Sequence, residues 1–274
     1  MSWQWDESLF AGAAEHYLRG RLPYAPGFAE TIGAALGFDG RGRLLDVGCG
    51  PGNVTLALAP LVEEAVGLDP DGGMLAEAAR HAADRGVTGV RWVRARAEDL
   101  PAGLGEFRAV VFASSFHWMD RDRVAATVLR MLVPGGAFVH VADLKEAPAA
   151  RTPLPAPAPP YGLIGELVRR YLGPVRRAGQ GVIATGSTPD REDLVVARAG
   201  FEGYERHVVP GGQVVARSAD DLVAWAFSRS DSAPHLFGAQ AGDFERDLRA
   251  LLGNGPYAEH LPPTEIRIWR RLRR

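Results

Sequence analysis

The sequence predicts a doubly wound α/β fold around a parallel sheet, with further helices forming a lid. Three observations carry this. Short apolar runs alternate with helical stretches between residues 41 and 143, at the spacing of strand–helix–strand units. The first apolar run is followed at once by a turn holding Gly48, Gly50 and Gly52. With 274 residues, 46% of them hydrophobic, the chain can bury one substantial α/β core and still supply a lid.

The elements follow in order. In "RGRLLDVGCGPGNVTLALAP", Leu44 to Val47 reads as a short buried strand and Val54 to Ala59 as the first turns of a helix. Between them, glycine supplies backbone conformations that other residues avoid and lets a ligand touch the main chain. "AVGLDP" ends a second strand in Asp69. Gly73 to Ala83 reads as a helix, and "VRWVRARAEDLP" as a third strand ending in Ala97, Glu98 and Asp99. "FRAVVFASSFHWMD" is a fourth strand, Asp122 to Leu132 a helix, and "LVPGGAFVHVAD" a turn and fifth strand.

The glycine turn does not have the G-x-G-x-x-G spacing of dinucleotide sites, because position 53 is Asn53 and the third glycine comes one residue early. The pattern is D-x-G-x-G-x-G, starting at Asp46. It resembles the first motif of class I methyltransferases that use S-adenosylmethionine, in particular the small-molecule, type 11-like members. The resemblance covers residues 41–143 and implies a Rossmann-like, mostly parallel seven-stranded sheet with its last strand antiparallel. It also implies S-adenosylmethionine as cofactor and S-adenosylhomocysteine as product. Asp69, nineteen residues after Gly50, would reach the ribose hydroxyls. Glu98 and Asp99 stand where such proteins meet the adenine edge, and Met74 would pack on the adenosine face. Asp46 could cap the loop's own amides or face the cofactor's amino group.

The N-terminal arm, residues 1–40, contains "EHYLRGRLPY", similar to the Tyr-x-x-Gly-Arg-Pro segment of small-molecule methyltransferases, with Leu22 in place of the first proline. Tyr17 and Arg21 thereby become candidates for closing the cofactor site. The plainer reading is an amphipathic helix with a packed tyrosine and a solvated arginine. After the fifth strand, six prolines between Pro148 and Pro160 mark a stiff, extended linker. Helices are expected around Leu163 to Tyr171 and Arg191 to Ala199. "FEGYERHVVPGGQVVARS" reads as a strand turning at Gly211 and Gly212. A capping pattern at Ser218 opens a segment presenting Trp225 and His235 as substrate contacts. Residues 144–263 are thus assigned to lid elements, and "TEIRIWRRLRR", residues 264–274, to the closing strand.

His117 follows the fourth strand, beside Trp118, where this fold meets its acceptor. Its imidazole could serve as general base, line the pocket, or play a purely structural part. Cys49, the single cysteine, has no base near it in sequence and excludes an internal disulfide framework. No His/Cys/Asp cluster has metal-ligand spacing. Net charge is −2, so no global positive field recruits nucleic acid or an acidic membrane, and the basic tail from Arg267 to Arg274 reads as solvated. The N-terminus lacks a signal-peptide pattern and no run is long enough to span a bilayer, which predicts a cytoplasmic location. Two departures bear on specificity. Arg108 stands where relatives often carry an acid, and Ser114-Ser115-Phe116-His117 replaces the Asn/Asp-Pro-Pro-Tyr segment of many amino-group methyltransferases, which disfavours DNA bases.

The expectation is a single-domain enzyme that methylates a small organic molecule, in keeping with bacterial secondary metabolism. Two alternatives stay open: a non-methylating cyclisation, elimination or rearrangement on the same fold, and a non-catalytic cofactor-binding subunit. The substrate, the attacking atom and the oligomeric state are not legible in the sequence.

Overall fold

The computed structural model describes residues 8–144, 152–175, 177–178, 181–182 and 191–272. Pro148 and the last two arginines of the tail lie outside them. In chain order the main elements are α1 (Ala14–Gly20), α2 (Phe28–Leu36), β1 (Arg43–Val47), α3 (Asn53–Leu58), β2 (Glu64–Asp69), α4 (Gly72–Asp84), β3 (Val90–Arg94), β4 (Phe107–Ala113), α5 (Arg121–Met131) and β5 (Leu132–Asp143). They continue with α6 (Tyr161–Leu172), the two-residue strands β6 (Arg177–Ala178) and β7 (Gly181–Val182), α7 (Glu192–Arg198), β8 (Glu205–Val209) and β9 (Val214–Arg217). The last are α8 (Ala219–Phe227), α9 (Pro234–Phe237), α10 (Ala241–Leu252), β10 (Tyr257–His260) and β11 (Thr264–Arg270).

Seven strands form the sheet in the order β3-β2-β1-β4-β5-β11-β8. The pairs β2/β3, β1/β2, β1/β4 and β4/β5 are parallel, and β11 runs antiparallel to both β5 and β8. This is the Rossmann-like architecture expected, with the closing strand as the antiparallel member.

Both faces of the sheet are covered, which is why its strands read as nearly unbroken apolar runs. Leu45, Val110, Phe112 and Phe138 face α5 and α7 through Val124, Val128 and Val195. Leu44, Val111 and Val139 face α2 and α3 through Ile32, Val54 and Leu58. A separate apolar cluster unites α6, α8, α9 and α10, with Phe237 stacked on Phe244 at 4.1 Å. These are the helices that the sequence assigns to a lid. It is tied internally by Arg217, whose Nη1 donates to Glu259 Oε1 at 2.9 Å, while the Tyr161 hydroxyl donates to the same carboxylate at 2.7 Å.

The structure redraws several expectations in residues 144–263. The span does not serve the lid alone: β8 joins the main sheet beside β11, and Val195 and Val196 of α7 pack into the sheet's core. The segment read as one turning strand is two strands of different sheets, since β9 pairs with β10. The reason is a non-local contact. Gly212 N donates to Leu261 O at 2.8 Å, and a Cβ on Gly211 would stand 2.3 Å from that same oxygen. Leu132 begins β5 instead of ending α5. Helices α2 and α10 are further elements.

Candidate active site

β1, β2, β3 and β4 end at one edge of the sheet, and between β1 and β4 the chain reverses its direction of travel across the sheet. Open α/β sheets bind ligands in the crevice at such a point. A cleft of about 940 Å³ lies there, within the size range of about 300–1,000 Å³ for ligand sites.

The floor is the glycine turn. Gly48, Gly50 and Gly52 have φ of +70°, +52° and +81°, a region that favours glycine. They do different jobs. A Cβ on Gly48 would fall 2.7 Å from the Ser115 side chain, and one on Gly52 would fall 2.6 Å from Trp92. Those two glycines are demanded by packing inside the protein. A Cβ on Gly50 would meet nothing within 4 Å. Its bare backbone instead faces the cleft, which Gly48 and Gly50 line and Gly52 does not.

Asp69, at the end of β2, clasps this turn. Its Oδ2 accepts from Gly50 N at 2.9 Å and its Oδ1 from Asp71 N at 2.9 Å. Each oxygen keeps capacity for a second donor. Burial pushes the carboxyl up to about 6, against those two backbone bonds. Asp71 then caps α4, accepting from Gly73 N at 2.7 Å and Met74 N at 3.0 Å. Asp46 lies behind the turn. Its Oδ2 accepts from the Thr55 hydroxyl at 2.6 Å, its Oδ1 is buried with no partner, and burial raises its pKa to about 7. It does not line the cleft.

The remaining expected cofactor residues divide. Met74, Glu98, Asp99 and Tyr17 line the cleft. Glu98 Oε1 accepts from Asp120 N at 2.8 Å, and the Arg96 guanidinium beside Asp99 holds its carboxyl below the usual range. Arg21 stands behind Tyr17, its guanidinium 5.2 Å from the ring centroid, and Nη2 donates to Ser228 O at 3.0 Å. Arg21 is a support at one remove from the cleft.

Of the expected substrate contacts, only Trp118 lines the cleft. Phe10 packs edge-on against it at 5.5 Å, closing a wall with Leu9 and Gly12. His117 is half-buried with its ring 5.0 Å from that of Trp118, and it is not among the lining residues. Trp225 packs on Tyr161 at 4.4 Å within the lid, and His235 meets the Ala11 carbonyl at 3.0 Å. Sequence reasoning missed Phe10, Asp71, Ser114 and Ser115. Ser114 has φ +52°, uncommon for a residue with a side chain, and its hydroxyl meets that of Tyr24 at 3.0 Å. Burial raises the pKa of the Tyr24 phenol, keeping it neutral. The signal for Asp71 was present as an acid directly before "GGM" at a helix start; Phe10 and the serines carried none.

Elsewhere, Arg108 bonds Asp39 at 2.6 Å at the opposite end of β4, while Arg267 and Arg270 pair with Glu265 and Glu205. Cys49 is buried, and burial drives its thiol pKa up. Among the described residues there is no group of three potential metal ligands, and no helix long and apolar enough to cross a membrane.

Comparison with known proteins gives one direction. A family model described as "Methyltransferase domain" matches residues 44–136. An uncharacterised methyltransferase of Mycobacterium tuberculosis is 35% identical over 221 residues, 80% of this chain and 77% of that one. The match to an uncharacterised methyltransferase of Bacillus subtilis is 33% identical over 100 residues, and spans 36% of this chain and only 40% of that one. A 2-heptyl-1-hydroxyquinolin-4(1H)-one methyltransferase of Mycobacteroides abscessus is 29% identical over 60% of this chain and 74% of its own length. Among solved structures, one assigned as a methyltransferase from Bacillus halodurans has a TM-score of 0.52 at 17% identity, over 90% of this chain and 99% of that one. The cyclase SpnF has a TM-score of 0.50 at 20% identity, over 89% and 80%. Likeness at those identities speaks for the fold alone.

Proposed function

Because the chain belongs to the S-adenosylmethionine-dependent methyltransferase family, we propose that it transfers a methyl group to a small organic molecule. The observation that carries the cofactor's place is Gly50, whose backbone opens on the cleft with room where a side chain would be, beside an acid able to accept more hydrogen bonds. The residues fit the group. Asp69 would accept the ribose hydroxyls, Met74 would pack on the adenosine, and Glu98 and Asp99 would stand at the adenine edge. Tyr17 would cover the bound molecule. When bound, the cofactor supplies a methyl group already made electrophilic by its sulfonium.

The chain's task is then to align the acceptor with that methyl and exclude water. Orientation of this kind can supply several kcal/mol of a barrier. Phe10 against Trp118 closes the wall where water would enter. The described lining holds no histidine, so this reading gives His117 the part of a support for Trp118 ahead of that of a base. Ser114, which lines the cleft and whose hydroxyl meets that of Tyr24, would be a polar group able to orient an acceptor.

A small acceptor is favoured because the cleft measures about 940 Å³ and is lined on the arm's side by Leu9, Phe10 and Gly12. Net charge of −2 gives no field for nucleic acid. The quinolone-methylating relative supports a heteroaromatic acceptor and a place in bacterial secondary metabolism. The test is transfer of labelled methyl from S-adenosylmethionine to a panel of small hydroxylated heteroaromatics headed by 2-heptyl-1-hydroxyquinolin-4(1H)-one. Labelled product is the expected result. Tight binding of S-adenosylhomocysteine with no label transferred to any of a broad panel would move the reading to non-methylating chemistry or a binding subunit.

A further inference from the structure

The geometry points to His235 as a positioning residue, a latch that holds the N-terminal arm shut over the cleft through its hydrogen bond to the Ala11 carbonyl. This rests on the cofactor reading above. Residues Leu9, Phe10, Ala11 and Gly12 form the roof of the cleft ahead of α1. The helix itself is fastened to the lid further on: Arg217 Nη2 donates to Gly20 O at 2.7 Å, and Arg21 Nη2 to Ser228 O at 3.0 Å. Those ties begin after the roof has ended. His235 reaches the roof directly, with Nδ1 3.0 Å from Ala11 O. A carbonyl only accepts, so Nδ1 carries the proton in this contact.

The surroundings suit a latch. Gly12 has φ +76°, and Pro234, next to His235, lies 3.5 Å from where its Cβ would be. Ala13 and Ala233 are fully buried together with Met74, so the arm, the lid and the cofactor side of the cleft meet at one apolar contact. The post that carries the latch is firm. Phe237 of the same short helix stacks on Phe244, and the Ser232 hydroxyl donates to Ala226 O at 2.6 Å. The roof on the other side rests on Phe10 against Trp118, an apolar contact that can part and re-form. A ligand seated against the arm keeps those contacts only while the arm stays in place, so loss of the latch would speed release.

The test uses the full chain and S-adenosylhomocysteine. His235→Phe keeps a planar ring but removes the donor. His235→Asn restores an N–H at the same bond distance from Cα. Stopped-flow displacement should show S-adenosylhomocysteine leaving His235→Phe about threefold to tenfold faster than the parent, the loss of one hydrogen bond, with His235→Asn near the parent rate. Hydrogen exchange of the amides of residues 8–13 should quicken in His235→Phe, with or without ligand, while β1 and α4 keep their protection. Exchange and release unchanged in His235→Phe, or His235→Asn behaving like His235→Phe, would overturn the latch. Binding of S-adenosylhomocysteine by the parent is the separate test of the cofactor reading, and arm exchange without ligand judges the latch even if that fails.

Discussion

At the scale of the residue, the three glycines of the turn show how one sequence motif divides its labour. Two of them avoid collisions with Ser115 and Trp92, and the third leaves space. Substitution at Gly48 or Gly52 would therefore disturb packing and say little about a ligand. Asp69 is ambiguous for a related reason: its carboxylate already holds Gly50 N and Asp71 N, so removing it loosens the turn as well as any ribose contact. Gly50 is the cleaner probe. Gly50→Val places a branched side chain at φ +52° and into the open cleft. The backbone strain should cost about 1–3 kcal/mol of stability, leaving a folded chain by circular dichroism. Affinity of the folded variant for S-adenosylhomocysteine in calorimetry should fall at least about tenfold, because the side chain fills the ligand's space. A folded variant with parental affinity would remove the ligand from this turn.

At the scale of the element, the arm and the lid behave as one construction. Gly20 ends α1 where it crosses α8, and a Cβ there would stand 2.5 Å from the Ala224 carbonyl carbon and oxygen and from Trp225 N. Backbone atoms cannot rotate aside as side chains do. Gly20→Ala should push the helices apart, weaken the Arg217 bond to Gly20 O, and destabilise the chain by about 1–3 kcal/mol. Hydrogen exchange should quicken in α1 and α8 and stay slow in β1, β4 and β5. Equal stability and exchange in parent and variant would show that the crossing is loosely packed. This crossing also marks the limit of what the sequence reveals. From residue 41 to residue 143 most strands and helices were legible to within a residue or two, because each is specified by its own apolar run, cap or glycine; the third strand instead stops at Arg94, and Ala97–Asp99 form a short 3-10 turn. Outside that span, legibility failed where contacts are non-local. The alternation around Gly211 looked like a hairpin until the Leu261 carbonyl drew its turn aside. Trp225 and His235 looked like substrate contacts because a lid carrying aromatic residues suggests a pocket. Which way they face depends on the lid's own core, and Trp225 turns to Tyr161 while His235 turns to the arm.

At the scale of the whole molecule, a glycine turn backed by buried acids has a consequence for stability against pH. The Asp46 carboxyl is fully buried with one oxygen unpartnered, and its pKa rises to about 7 from an ordinary 3.8, chiefly through desolvation. Asp69, whose charge pushes it the same way, stands at about 6. Between the ordinary and the raised values the folded chain holds protons that the unfolded chain has released, so stability falls as pH rises. The contribution of Asp46 is fully present below about pH 4 and is lost as pH passes through about 7. Each pKa unit corresponds to about 1.4 kcal/mol, which bounds the effect at roughly 4 kcal/mol. Asp46→Asn keeps an acceptor for the Thr55 hydroxyl but cannot ionise, so its stability should lack this slope. Urea unfolding of both chains from pH 4 to pH 8 reads the difference, which is due chiefly to Asp46 and in smaller part to the repulsion that Asp69 no longer feels. The variant should gain on the parent steadily between pH 4 and pH 7, and the difference should level off near pH 8. Parallel curves across that range would mean that Asp46 is ionised in the fold throughout, with its buried charge neutralised by some other means.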